Sequence, residues 1–382
     1  MMWSENRYVE YSMDILLFLL GINVMHYGQL LLPIMCFLLF VDRKMKFYVR
    51  SPKTFILLCL FAISFYAFSY KLGFYCVMGF CLPMAYYIGS NSLNPCEENV
   101  KKTIYIIAFG MCCHLILNFY YDYTILGKDL MLRNSHYDFW TRGYVAANTT
   151  SVNLIFIISS IYYLLVFEKD KRWRISGIVL FIISLIYDLA LGKRMPIFIM
   201  VLDLIVCVVY DIVFVQKNKK FILVLLVPTL GLVLLLFLYF INFLGLKDVM
   251  DNIRLVIKIK AGLFDFDRLK ILMESLKYVP IYLWGGQMIS SKVGIQMHEL
   301  WMDIYDYAGL PSYVLMVAYS LIYAFDAYKV IKKDSVDKPF RLLLLSFVFC
   351  ATCIMFLEPV MTGSSLYLIC VIIVGTMASC LI

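Results

Sequence analysis

Two kinds of residue in this sequence could do chemistry beside a bilayer: guanidinium groups between apolar runs, and a histidine followed by carboxylates. Arg194 sits in Gly192-Lys193-Arg194-Met195-Pro196. Pro196 suits the first turn of a helix, and a guanidinium beside free N–H groups at a helix start can grip a phosphate. Lys193 and Arg194 would equally snorkel to lipid head-groups, and the residues by themselves leave both readings open. Arg268, in Phe266-Asp267-Arg268-Leu269, either meets an anion or pairs with Asp265 or Asp267. Arg142, in Trp140-Thr141-Arg142-Gly143-Tyr144, is the third basic position of interest, against a reading as ordinary loop charge.

His298 lies in Met297-His298-Glu299-Leu300-Trp301, with Asp303 and Asp306 following. An imidazole titrates near working pH and can take the proton of a sugar hydroxyl. Glu299 or Asp303 could orient it, although a spacing of five fits one helix face poorly; a hydrogen-bonded packing histidine is the other reading. Glu358, before Pro359 at the end of an apolar run, either lines a cavity or serves as a cap. Asp122, His136 and Asp138 match no metal-ligand spacing, and Gly192-Lys193 lacks the rest of a P-loop. No metal and no cofactor is expected. His26 and His114, inside apolar runs, read as packed helix positions.

The elements that must carry these groups are membrane helices. Of 382 residues 63% are hydrophobic and 16% charged, whereas a soluble domain is nearer half apolar and a quarter charged. Apolar runs long enough for a ~30 Å hydrocarbon core fall near 13–24, 28–41, 54–70, 74–90, 103–121, 146–167, 174–191, 196–215, 221–243, 308–328, 341–357 and 364–382. Gly21, Asn23, His26, Gly28, Gln29 and Pro33 favour a break between the first two. The expectation is an all-α polytopic membrane protein of about 11–12 transmembrane helices, without the alternation of a membrane barrel.

Charge sets the orientation. With 42–53 taken as cytoplasmic, alternate short loops carry 19 Lys and Arg against 6 on the opposite side, a positive-inside bias. The net charge of +8 is therefore a topology signal and no argument for nucleic acid. The chain divides into 1–243, helices with short loops; 244–307, one large external loop; and 308–382, C-terminal helices. Within the loop, 247–260 reads as a surface helix and Phe266 to Tyr278 as a helix ended by Pro280, with a turn at Gly285-Gly286. Eleven of the 12 cysteines lie in apolar runs and behave as small hydrophobes. Cys350-Ala351-Thr352-Cys353 falls inside such a run, which argues against redox or zinc chemistry. The first run has acidic Glu10 and Asp14 and no small-residue cleavage site, so no cleavable signal is expected.

The order of these pieces resembles the bacterial O-antigen and capsular polysaccharide polymerases (Wzy type) and O-antigen ligases (WaaL type). The stretches that carry the likeness are Leu191-Gly192-Lys193-Arg194; Arg268 through Pro280 to Gly285-Gly286; and His298-Glu299-Leu300-Trp301 to Gly309-Leu310. Departures are Glu299 in place of Asn after the histidine, Ser312 in place of a closing Gly, and Gly285-Gly286-Gln287 in place of Gly-x-Gly. The resemblance implies a GT-C-like bundle with the large external loop over the site. It implies a metal-independent glycosyltransferase acting on undecaprenyl-pyrophosphate-linked oligosaccharides at the outer face of the cytoplasmic membrane. Catalytic roles would fall to His298, Arg194 and Arg268, and substrate contacts to Arg142, Lys193, Glu299 and Glu358. Membrane lipids and a chain-length regulator are the other expected partners. The sister ligase reaction is the alternative. A flippase is disfavoured because no internal repeat is visible.

Overall fold

The structure is a computed structural model describing residues 7–69, 78–91, 96–127, 135–193, 195–215, 267–294, 297, 299–358 and 360–382. It comprises two compact units. One is built from 1–107, 265–336 and 351–382, the other from 108–264 and 337–350. Among the described residues five helices are long and apolar enough to cross a membrane: Glu97–Leu126, Lys171–Ala190, Met195–Val215, Leu300–Lys332 and Lys338–Leu357. Shorter apolar helices accompany them. The coarse expectation of an all-α membrane protein holds. The expected span 221–243 and surface helix 247–260 lie outside the described residues.

The first unit opens with α1 (Arg7–Ile22) and α2 (Leu31–Asp42), so the first apolar stretch is two helices. Asn23, Met25 and His26 take left-handed φ values of 54°, 53° and 61°, which stop an L-residue helix. Asn23 Oδ1 accepts from the Gly28 N–H at 3.2 Å and steadies the break. Helix α3 (Pro52–Phe68) is capped by Ser51, whose Oγ accepts from the Thr54 N–H at 3.3 Å, with Pro52 in the first turn. Then come α4 (Cys81–Asn91) and the first turns of α5 (Glu97–Leu126).

The second unit holds the rest of α5, a hairpin of β1 (Ser135–Tyr137) and β2 (Tyr144–Ala146), α6 (Ala147–Val166), α7 (Lys171–Ala190) and α8 (Met195–Tyr210) with one wider turn at Asp211–Val215. The later elements are α9 (Asp267–Leu276), α10 (Met288–Val293), α11 (Leu300–Lys332), α12 (Lys338–Leu357), α13 (Val360–Gly363) and α14 (Ser365–Ser379). All of these belong to the first unit except the start of α12.

Lipid tails are as apolar as leucine, so close packing and polar contacts, rather than removal from water, hold such helices together. In the first unit Gly89 on α4 lies so near α14 that a Cβ would stand 2.6 Å from the Ile373 carbonyl oxygen. Ser64 on α3 and Ser312 on α11 share a hydroxyl hydrogen bond of 2.8 Å. In the second unit Tyr162, Val166, Cys207, Val208 and Leu342 form a buried cluster, and Phe156 meets Phe347 edge to face at 5.3 Å. Gly89→Val should cost about 1–3 kcal/mol through overpacking, read as a lower thermal midpoint of the purified protein in detergent. An unchanged midpoint would show that α4 and α14 do not meet there.

Candidate active site

The stretch after Asp267 folds into one small body within the first unit. Leu272, Met273 and Leu276 recur at helical spacing and α9 forms over them. Ile271, Leu272, Tyr278, Val279 and Tyr282 pack on buried Ile289, Met297, Met302 and Tyr305. The Tyr305 hydroxyl donates to the Val279 carbonyl at 2.6 Å. Ser275 Oγ lies 3.2 Å from Met297 Sδ. The helix that bears Arg268 is thereby tied to the residue preceding His298.

Helix α11 is two helices meeting at a break. Gly309 has φ 74° and ψ −173°, a conformation open to glycine and hardly to anything else, and Pro311 follows. Trp301 Nε1 donates to Ser320 Oγ at 3.1 Å, and the Tyr305 and Tyr313 rings meet edge to face at 5.6 Å. Residues 300–308 therefore fold back along the helix that follows. Ser320 lies roughly 16 Å along that helix from Gly309, at 1.5 Å per residue. The start of the fold-back helix, beside His298, is drawn that far from the break. The long helical stretch thus counts as one crossing from Gly309 onward.

A break frees carbonyls that must find donors where water is scarce. The turn Leu283–Gln287 supplies them. Gly286 N donates to Tyr307 O at 3.1 Å and Gln287 N to Asp306 O at 2.8 Å, while Leu310 N donates to Leu283 O at 2.8 Å. Both strands must be bare to approach: a Cβ on Gly285 would stand 2.6 Å from Gly309 N, and one on Gly309 2.5 Å from Leu283 O. Asp306, 1% exposed, accepts the Ile289 and Ser290 N–H groups through Oδ1 at 2.9 and 3.1 Å, holding the first turn of α10. Exposed Trp284 stacks on Phe68 at 5.5 Å.

Glu299 is the residue before the fold-back helix. It is half-buried, its carbonyl accepts from Asp303 N at 2.8 Å, and burial raises its carboxyl above the ordinary range. Trp301 packs on Phe356 at 4.6 Å, two residues before buried Glu358. Arg268 lies in α9, two turns before Ser275; its side chain is outside the described set. Arg194 and His298 lie outside the described residues.

In the second unit, the segment expected as an external loop is partly a hairpin nailed to the end of α5. Asp122 Oδ1 accepts from Tyr137 N at 2.6 Å, and Oδ2 accepts from the Tyr187 hydroxyl at 2.5 Å. Asn118 Oδ1 accepts from Phe139 N at 2.9 Å. Asp138 holds the turn through the Trp140 and Thr141 N–H groups at 2.9 and 2.8 Å, and its other oxygen meets His114 Nε2 at 3.1 Å. These bonds give Asp122 and Asp138 a structural task. Arg142 occupies the left-handed position of that turn (φ 56°), is exposed, and stands over the Tyr121 ring at 5.9 Å. Lys193 follows α7, its N–H donating to the Asp188 carbonyl at 3.3 Å. The hairpin is thus fastened to α5 and meets α7 where the His136 and Tyr187 rings lie edge to face at 6.2 Å. Sequence reasoning missed the fold-back of 300–308 and the hairpin; only Gly309, Pro311 and Gly143 signal them.

No protein-family model matches the chain, and neither does any curated protein.

Gly309→Ala should strain the backbone and press on Leu283, costing about 1–3 kcal/mol for the strained residue alone. Faster amide exchange at 283–287 would report the undocking, and unchanged exchange would deny it. Asp122→Ala should free the hairpin at a cost of about 1–3 kcal/mol per stranded donor, with exchange rising at Tyr137. For Glu299 the folded group titrates above the unfolded one, so its contribution to stability is lost as pH rises through the raised value. Glu299→Gln should gain stability relative to wild type as pH rises from acid to neutral; a constant difference would contradict the burial.

Proposed function

We propose that this protein is a membrane glycosyltransferase that polymerises undecaprenyl-pyrophosphate-linked oligosaccharides on the outer face of the cytoplasmic membrane. The observation that carries the reading is the union of two motif-bearing stretches in one body. Residues 267–287 and 297–310, which hold the second and third stretches of the polymerase resemblance, share a core and a backbone ladder. A GT-C-like bundle is the fold this reading implies.

The chemistry asked of the residues is simple. An acceptor sugar hydroxyl attacks the anomeric carbon of the donor. The bond from that carbon to the pyrophosphate oxygen breaks, and His298 takes the hydroxyl proton. Undecaprenyl pyrophosphate leaves with its charge met by Arg194 and Arg268, which present fixed donors to the developing anion. Lys193, just past α7, and Arg142, over the Tyr121 ring of α5, hold further phosphate or sugar oxygens. Glu299 and Glu358 accept from sugar hydroxyls. The ladder at Gly285 and Gly309 keeps the cover in place and water out, which matters because water competes as an acceptor.

The test is reconstitution in liposomes with a lipid-linked repeat unit, reading chain length on a gel. Wild type should extend chains with EDTA present, and Arg194→Ala, Arg268→Ala and His298→Ala should each lower the rate by at least about 100-fold, as general-base and electrostatic losses do. Normal extension by His298→Ala would remove the base from the mechanism, and loss of wild-type activity in EDTA would remove the metal-free account.

A further inference from the structure

A second feature stands apart from that reading. Asp203 lies eight residues into the span Met195–Val215, about 12 Å from its start, well inside a hydrocarbon core of ~30 Å. It is 0% exposed. Among the described residues no lysine or arginine pairs with it. Ionisable groups at such depth are costly and functional by default.

Its partners can be counted by hydrogens. Ser346 Oγ, from α12, lies 2.7 Å from Asp203 Oδ1 and 2.8 Å from Oδ2, and also 2.8 Å from the Ser159 carbonyl of α6. These are the O···O separations of direct O–H···O bonds. A serine hydroxyl brings one hydrogen. Two acceptor groups, a carboxyl and a carbonyl, therefore share one donor. The Cys207 thiol, 3.9 Å from Oδ2, and the neighbouring Cys350 thiol are at most weak donors. A second hydrogen on the carboxyl completes the set: Asp203 donates to Ser346 Oγ, and Ser346 donates to Ser159 O.

We propose that Asp203, Ser346 and Ser159 form a proton-binding site in the middle of the second unit, the bound proton joining α8, α12 and α6. Contacts of 2.7–2.8 Å between the oxygens leave no place for a sodium ion among them. Deprotonation would put one lone-pair oxygen against another and an unpaired charge in hydrocarbon, so the proton leaves only when the helices part. Among the described residues, the titratable groups around the site are Cys207 on the same helix, Cys350 on α12, and, two turns along, Asp211 with its hydrogen-bonded Tyr162 of α6.

Infrared spectroscopy of the full-length protein in nanodiscs, with carbon-13 in the aspartate side chains, tests this. At neutral pH the spectrum should contain a protonated carboxyl stretch that disappears in Asp203→Asn and moves to higher frequency in Ser346→Ala, where the acceptor is gone. The asparagine side chain of the first variant can still donate to Ser346, so that variant should fold. Wild type should lose more stability towards alkaline pH than Asp203→Asn does: a proton held only by the folded protein stabilises it until the pH is high enough to remove that proton. If Asp203→Asn does not fold, the shift in Ser346→Ala decides. A spectrum identical in wild type and Ser346→Ala, or stability that follows sodium concentration and ignores pH, would overturn the proposal. Neither readout depends on glycosyl transfer.

Discussion

The backbone break at Gly309 is the constraint on which the first unit's architecture rests. A helix interrupted where water is scarce must place its freed carbonyls. Here Asp306 and Tyr307 hand theirs to the N–H groups of Gln287 and Gly286. That exchange needs two chains at backbone distance, hence glycine on both sides. From it follow the seating of Trp284 on Phe68, the capping of α10 by Asp306, and the return of 300–308 along the helix beyond. The fold-back carries Trp301 onto Phe356 of α12. One geometric requirement thus connects the glycines of the sequence to the proposed site.

The second unit solves a different problem, the burial of carboxylates. Asp122 meets the Tyr187 hydroxyl, Asp188 the Ser151 hydroxyl, Asp203 the Ser346 hydroxyl and Asp211 the Tyr162 hydroxyl. Each donor comes from another helix. Polar contacts of this kind are worth about 0.6–2 kcal/mol in lipid and fix which helices meet. At the end of α5 the same device holds the hairpin that presents Arg142. At Asp203 the hydrogen count goes further and calls for a bound proton.

The sequence discloses those parts of this molecule that depend on near neighbours. The break between α1 and α2 is visible in Asn23 and Gly28, and the α9 helix with its stop in the leucine spacing and Pro280. Hydropathy alone places most of the helices because a bilayer demands long apolar runs. The fold-back is hidden, since 300–332 is continuously helix-forming except at Gly309 and Pro311. The bond between Asp203 and Ser346 spans 143 positions, a distance over which one sequence carries no pairing signal. The hairpin at 135–146 is too short for alternation to register. Of the proposed catalytic residues, Arg194 and His298 lie outside the described set, and Arg268 is placed only by its helix.

The central claim is that this protein holds a polyprenyl diphosphate by guanidinium groups. Native mass spectrometry of the detergent-purified protein with undecaprenyl pyrophosphate, in EDTA, examines it most directly. The account predicts a one-to-one complex for wild type that is lost when Arg194 and Arg268 are both alanine. Retention of the lipid by that double variant, or binding only after a divalent ion is added, would contradict it.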